Sequence, residues 1–272
     1  MNKIIKLGDN HSENLTAHHV MASNTEGSTF AFQAHPSLRA FTVSPPVFLQ
    51  RHFPPPGSSN TSRPPAPVFL ATGAIVFDRP LPSNDFPSKS ASAANPSGAG
   101  ARHGAMAPNQ QPPRVLVIQR AAHDSMPLRW ETPGGGCDDD DISILHSCAR
   151  ELYEEAGLRA TTLGPVVRVG STSDSEGGVR DGGHEWGEDM GGQFFRTRRG
   201  KLVCKFYFIA GVPEERAAEV VVDPKEHAGY VWVTEEEVRQ KKVLGNQGRL
   251  DLEFTTQAQW EVILTAFKLW HA

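Results

Sequence analysis

The chain has 272 residues, with 27 Lys+Arg against 31 Asp+Glu and a pI near 6.3. That balance excludes a general nucleic-acid binder, which carries a basic excess or patch. The longest apolar run, Val68 to Phe77, is too short to span a membrane, and three scattered cysteines without metal-type spacing fit a reducing, cytoplasmic setting.

Taken in order, residues 1–36 are polar and without period, which predicts a disordered tail. His11, His18 and His19 in it read as solvated side chains rather than a metal cluster. A folded domain is expected over 37–272. Near its start, Ser44 followed by Pro45 has the pattern of an N-cap with proline at the first helical position, so a short docking helix is predicted. Residues 54–66 read as a Pro/Ser linker. Val68 to Asp78 is β-rich and reads as a core strand. The stretch 80–113 is Pro, Ser, Ala, Gly and Asn, too poor in apolar area to offset its ordering entropy, and is expected to be a disordered insertion. Another strand pattern, Arg114 to Arg120, follows at once, which reads as a hairpin whose loop has been lengthened.

A helix is predicted from Ile142 to Ala156, with Leu145, Cys148, Ala149, Leu152 and Ala156 as its buried stripe and its glutamates turned toward solvent. Strands are expected at Leu163 to Gly170 and Val231 to Val233, and a hairpin from Phe194 to Thr197 and Leu202 to Val212. Ser171 to Gly192 reads as a Gly/acid-rich loop. Thr234 with Glu237 forms a capping-box pattern before a short helix, and Thr256 to Trp270 closes the chain as an amphipathic helix. Strands and helices mix without regular alternation, so the fold class is α+β with a mixed β-sheet.

The chemistry concentrates between Gly134 and Leu158. Glu151, Glu154 and Glu155 are spaced i, i+3, i+4 and share one helix face. Like charges that close repel, and a hard divalent cation such as Mg²⁺ or Mn²⁺ converts the repulsion into binding. The turn Gly134-Gly135-Gly136 offers backbone N–H groups to phosphate oxygens, with Gly135 and Gly136 as candidate substrate-binding residues. Phosphate and metal thus meet in one place.

These residues resemble the Nudix hydrolase family. The second half of the family's sequence box is matched at every defined position by Arg150-Glu151-Leu152-Tyr153-Glu154-Glu155-Ala156-Gly157-Leu158. Further landmarks are Gly73-Ala74-Ile75-Val76, the Trp130 to Gly135 segment and Glu226-His227 before Trp232-Val233. The FTVSP segment at Phe41 and the C-terminal helix resemble fungal members. One position departs: the box's first glutamate falls on Ile142, and Asp141 beside it is the candidate replacement. The resemblance implies an α/β/α sandwich and the hydrolysis of a diphosphate linked to another group. It implies Mg²⁺ or Mn²⁺ on Glu151, Glu154 and Glu155, with Glu154 and Glu155 catalytic. Arg150 would orient the acids, and Glu226 is the leading outside ligand or base, with Glu185, Glu188 and Asp189 as alternatives. Two other readings are an isopentenyl diphosphate isomerase, which would use Cys137, and a catalytically inactive binding module. The box glutamates weigh against the inactive module. No signature of ADP-ribose, dinucleoside polyphosphate or coenzyme A hydrolases is present. A small-molecule diphosphate is the expected partner, with nucleoside and prenyl diphosphates both open; Trp186, Phe194 and Phe195 are aromatics that either contact it or pack in the core and hairpin, the latter being the reading for Phe195. The oligomeric state is left open.

Overall fold

The computed structural model describes residues 21–22, 30–53, 68–79, 111–168, 190–213, 216–217, 219–245 and 248–272. The expected linker, most of the expected insertion, and Glu185, Trp186, Glu188 and Asp189 lie outside the described residues. Among the described residues, no helix is long and apolar enough to cross a membrane.

A six-stranded mixed sheet is built on β8, Leu202–Gly211, with β3, Val68–Val76, parallel to it along its whole length. Its other edge is shared by β6, Thr162–Val166, and β7, Gln193–Arg196, both antiparallel. Two short N-terminal strands extend the sheet, β1 at Met21–Ala22 and β2 at Gln33–Ala34, β2 lying parallel to β6. A second, antiparallel sheet has the order β5-β4-β9, formed by Trp130–Glu131, Arg114–Arg120 and His227–Thr234. A hairpin, β10 at Lys242–Gly245 and β11 at Gly248–Asp251, stands apart.

Period-two alternation along β8 gives each face its own core. Leu202, Cys204, Phe206, Phe208 and Ala210 pack with α2, Ile144–Ala156, and with α1, Pro45–His52. Phe41 and Phe48 close this core, their rings 4.9 and 5.5 Å from Phe206. Phe48 is fully buried, which is worth roughly 2–3 kcal/mol. Tyr207 and Ile209 point the other way, into a core completed by α3, Glu235–Gln240, and α4, Gln257–His271. Helices thus cover both faces, and the chain is an α+β, α/β/α sandwich.

The predicted stripe of α2 is buried in full. The helix starts at Ile144 because Ser143 takes an extended conformation and accepts the His146 N–H, a side-chain cap. Gly157 ends it in the left-handed conformation that glycine favours. The capping box at Thr234 and Glu237 is present with both bonds.

Three expectations are corrected. Order begins before residue 37: Phe32 and Ala34 are buried and β2 joins the sheet. Two alternating apolar residues suffice for that contact, too few to register in a polar stretch. β3 and β4 do not form a hairpin but belong to different sheets, joined by one antiparallel bridge between Phe77 and Val115. The bond from Asp78 N–H to the Arg114 carbonyl (2.9 Å) and the Asp78–Arg114 ion pair (2.8 Å) hold the two ends together. The glutamates of α2, finally, do not all face solvent, as the site shows.

Candidate functional site

Three segments meet at the C-terminal end of α2: the glycine turn, the helix itself, and the turn that leads into β9. The glycine turn runs beside β3 as an added extended segment, with Thr72 N–H donating to the Gly135 carbonyl (2.9 Å) and Cys137 N–H to that of Leu70 (3.0 Å). Gly134 has φ 147°, and a Cβ there would lie 2.2 Å from the Thr72 carbonyl oxygen, so only glycine permits the approach. A Cβ on Gly135 would meet the Glu151 carboxylate at 2.5 to 2.9 Å, whereas one on Gly136 would meet nothing. The Gly134 N–H donates to the Glu155 carboxylate, and the Gly136 carbonyl accepts from Arg150 (3.0 Å). The turn therefore positions acids, through the Gly134 N–H and the Gly136 carbonyl.

Arg150 is the hub of these contacts. Its Nε and Nη2 each donate to Asp141 at 3.0 Å, and its Nη1 donates to Glu151 (2.8 Å) and Glu154 (2.9 Å). Hydrogen bonds to Asp141 come first among the groups that raise its pKa. Asp141 also accepts from the Ser147 hydroxyl (2.7 Å) and the Asp138 N–H (2.8 Å). Burial works against its charge, but Arg150 and these donors hold its pKa below the usual carboxylate range. Ile142, at the aligned box position, is 43% exposed and takes no part.

The three helix glutamates differ. Glu154 is exposed, Glu151 is buried, and Glu155 is largely covered. Burial raises the Glu151 pKa and pushes that of Glu155 up to about 8. Glu155 turns away from Arg150 toward His227, whose Nε2 is 3.7 Å from Glu155 Oε1. Glu226, exposed on the turn before β9, completes a group with Glu155 and His227 in which one ligand atom from each lies within 4.8 Å of the others. His227 is buried, which lowers its pKa, and its Nδ1 has no hydrogen-bond partner. A pocket of about 480 Å³ opens here, with Arg120, His123 and Lys225 among its walls. Of the predicted site residues, Glu151, Glu154, Arg150, Gly135 and Gly136 form one side of the site, and Glu155 with Glu226 the other.

Sequence reasoning missed three contributors. Lys205 is buried on β8, where burial opposes its charge but Tyr207, Glu131, Glu155 and Glu151 outweigh that and raise its pKa. Its signal was a lysine in the middle of an otherwise apolar strand. Buried Glu131 is tied to Arg120, which also binds Asp124. His227 was visible only as a landmark. Burial is the chief cause that pushes the Cys137 thiol up to about 12, which favours its neutral form.

The NUDIX domain model matches residues 102–252, more than half of the chain, and the protein belongs to that family. It is 38% identical over 48 residues to an RNA pyrophosphohydrolase of Rhizobium meliloti (strain 1021); the match spans 18% of this chain and 28% of that relative. Among solved structures it is similar to the MutT protein from Methanosarcina mazei Go1, at 15% identity and TM-score 0.41 over 75% of this chain and 96% of that one. It is also similar to an Ap4A hydrolase of C. elegans in a binary complex, at 14% identity and TM-score 0.41, over 74% and 96%.

Proposed function

We propose that the protein is a Mg²⁺- or Mn²⁺-dependent pyrophosphohydrolase that cleaves a diphosphate linked to another group. The observation that carries this is the convergence of Glu155, from the matched helix, with Glu226 and His227 from the turn before β9. The name of the Rhizobium relative supports pyrophosphate cleavage as the reaction type.

The residues present fit a divalent cation: the carboxylates of Glu155 and Glu226 meet in the groove, and the Nε2 of buried His227 faces Glu155 without a hydrogen bond. Glu151, Glu154 and Glu155 are the box residues that would hold it. When bound, the cation supplies neutralisation of the diphosphate charge and a lower pKa for a coordinated water. Arg150 fixes the Glu151 and Glu154 carboxylates, and Gly135 leaves room for Glu151. Glu226, exposed at the rim, is the carboxylate from outside the helix that completes the site. Lys225 lines the same pocket, where its ammonium would be available to the outer phosphate. Three free cysteines agree with a cytoplasmic setting.

A nucleoside diphosphate derivative is the first substrate class to test, with prenyl diphosphates second. Purified protein with Mg²⁺ or Mn²⁺ is expected to release phosphate or pyrophosphate from at least one member of a diphosphate panel. The Glu154→Gln, Glu155→Gln double variant is expected to be inactive. Equal inactivity of both proteins on every diphosphate, with nucleotide or protein binding retained by the wild type, would establish the non-catalytic module instead.

A further inference from the structure

We infer that Glu155, Glu226 and His227 form a mixed nitrogen–oxygen cation site, and that through His227 the protein binds Mn²⁺ and softer divalent ions in preference to Mg²⁺. The inference rests on the site being metal-bearing, as proposed above, and adds a ligand of different chemistry together with its consequence for ion choice.

The helix acids divide their partners. Glu151 and Glu154 are each held by Arg150, at 2.8 and 2.9 Å, so a guanidinium already compensates their charge. Glu155 makes no ion pair with Arg150; the nearest basic nitrogen to its carboxylate is His227 Nε2, at 3.7 Å. That distance is too long for a hydrogen bond. Yet His227 is only 4% exposed, and Nε2, the ring nitrogen that faces Glu155, makes no hydrogen bond, although buried polar groups are normally satisfied. An imidazole that is buried, short of a partner and directed at a carboxylate is arranged as a ligand rather than as core packing.

The backbone explains how two successive residues reach one point. In a regular strand Glu226 and His227 would point to opposite faces. Here the pairing of β4 with β9 slips: Gln119 lies opposite Gly229, and Arg120 opposite His227, so Ala228 is an extra residue. Such a bulge bends the strand and re-aims its side chains. Glu226 ends the preceding turn, anchored by its N–H to the Asp223 carbonyl (3.0 Å) and by its carbonyl to the Ala121 N–H (2.8 Å). The three ligand atoms thereby come within 4.8 Å of one another. Mg²⁺ prefers oxygen ligands and gives up its waters reluctantly, whereas Mn²⁺ and the later divalent ions accept imidazole.

Mn²⁺ bound to the purified full-length protein, followed by pulsed electron paramagnetic resonance, tests the site directly. The expected result is ¹⁴N modulation from a coordinated imidazole in the wild type and in His123→Ala, and its loss in His227→Gln. His227→Gln should lower Mn²⁺ affinity at least about tenfold and Mg²⁺ affinity less than threefold. Glu226→Gln should weaken Mn²⁺ binding but keep the nitrogen signal. The wild-type spectrum needs no variant to fold: bound Mn²⁺ without ¹⁴N modulation overturns the inference, as does a signal that survives His227→Gln. Mg²⁺-driven diphosphate hydrolysis alongside a nitrogen-free spectrum would remove the histidine ligand and leave the hydrolase. Absence of both ion binding and hydrolysis removes both.

Discussion

Asp141, one residue before the aligned box position, is the acid that Arg150 grips with two nitrogens. Its carboxylate takes two hydrogen bonds from Arg150 in a largely buried setting, while Ile142 points outward. Asp141→Asn should therefore destabilise the protein by about 2 kcal/mol in urea unfolding and free Arg150 to over-bind Glu151 and Glu154, lowering activity. Ile142→Glu, the substitution that completes the box on paper, should change stability by less than about 0.5 kcal/mol and leave activity as it is. Asp124 gives a pH prediction. A hydrogen bond from Arg120 is the largest cause of its pKa falling to about 2, below the ordinary carboxylate value near 4. A folded-state pKa below the unfolded value stabilises above the unfolded pKa, and that stabilisation is lost as pH falls through the folded one. Unfolding free energies of wild type and Asp124→Asn should thus converge as pH drops from about 4 toward 2, with the wild type more stable above that window. The site residues that the sequence revealed are those whose chemistry sits in local spacing. Lys205, Glu131 and His227 come from strands far apart in the chain, and only topology brings them to Glu155.

Elements form here largely by local rules. Ser143 caps α2 with its hydroxyl, Gly157 ends the helix, and Thr234 and Glu237 satisfy each other at the start of α3. Ser143→Ala should cost about 1 kcal/mol in thermal or urea unfolding, and more of that loss should fall on α2, read as faster amide exchange in its first turn. Because such signals are local, both helices were visible in the residues. What was not visible is pairing. β3 and β4 carry strand patterns on either side of a long polar stretch, and pattern alone suited a hairpin. The partner of β3 is instead β8, which begins far downstream at Leu202. Register along β8 explains the choice: its apolar residues serve both faces, so it must be covered on two sides and lie inside a sheet. β2 escaped notice for the opposite reason, since two residues are too few for a period.

Across the whole molecule, β8 belongs to both cores and the site lies where the sheets approach each other. The long segment between β3 and β4 leaves and returns at adjacent points, Asp78 and Arg114. Replacing residues 80–110 by a short Gly/Ser linker should keep the fold and the diphosphate activity. Each halving of loop length should return about 0.6 kcal/mol of closure entropy, so the melting temperature should hold or rise slightly. A fall of many degrees would show that the segment packs on the domain. The axis of α2 is itself an electrostatic element. Glu154 stands in its final turn, which carries no basic residue, so its charge adds to the negative pole of the aligned peptide dipoles. The helix is thus unfavourably charged at the very end that faces the groove. A cation bound there, as proposed, would relieve the backbone as well as the side chains, and the fold itself would be part of what holds the ion.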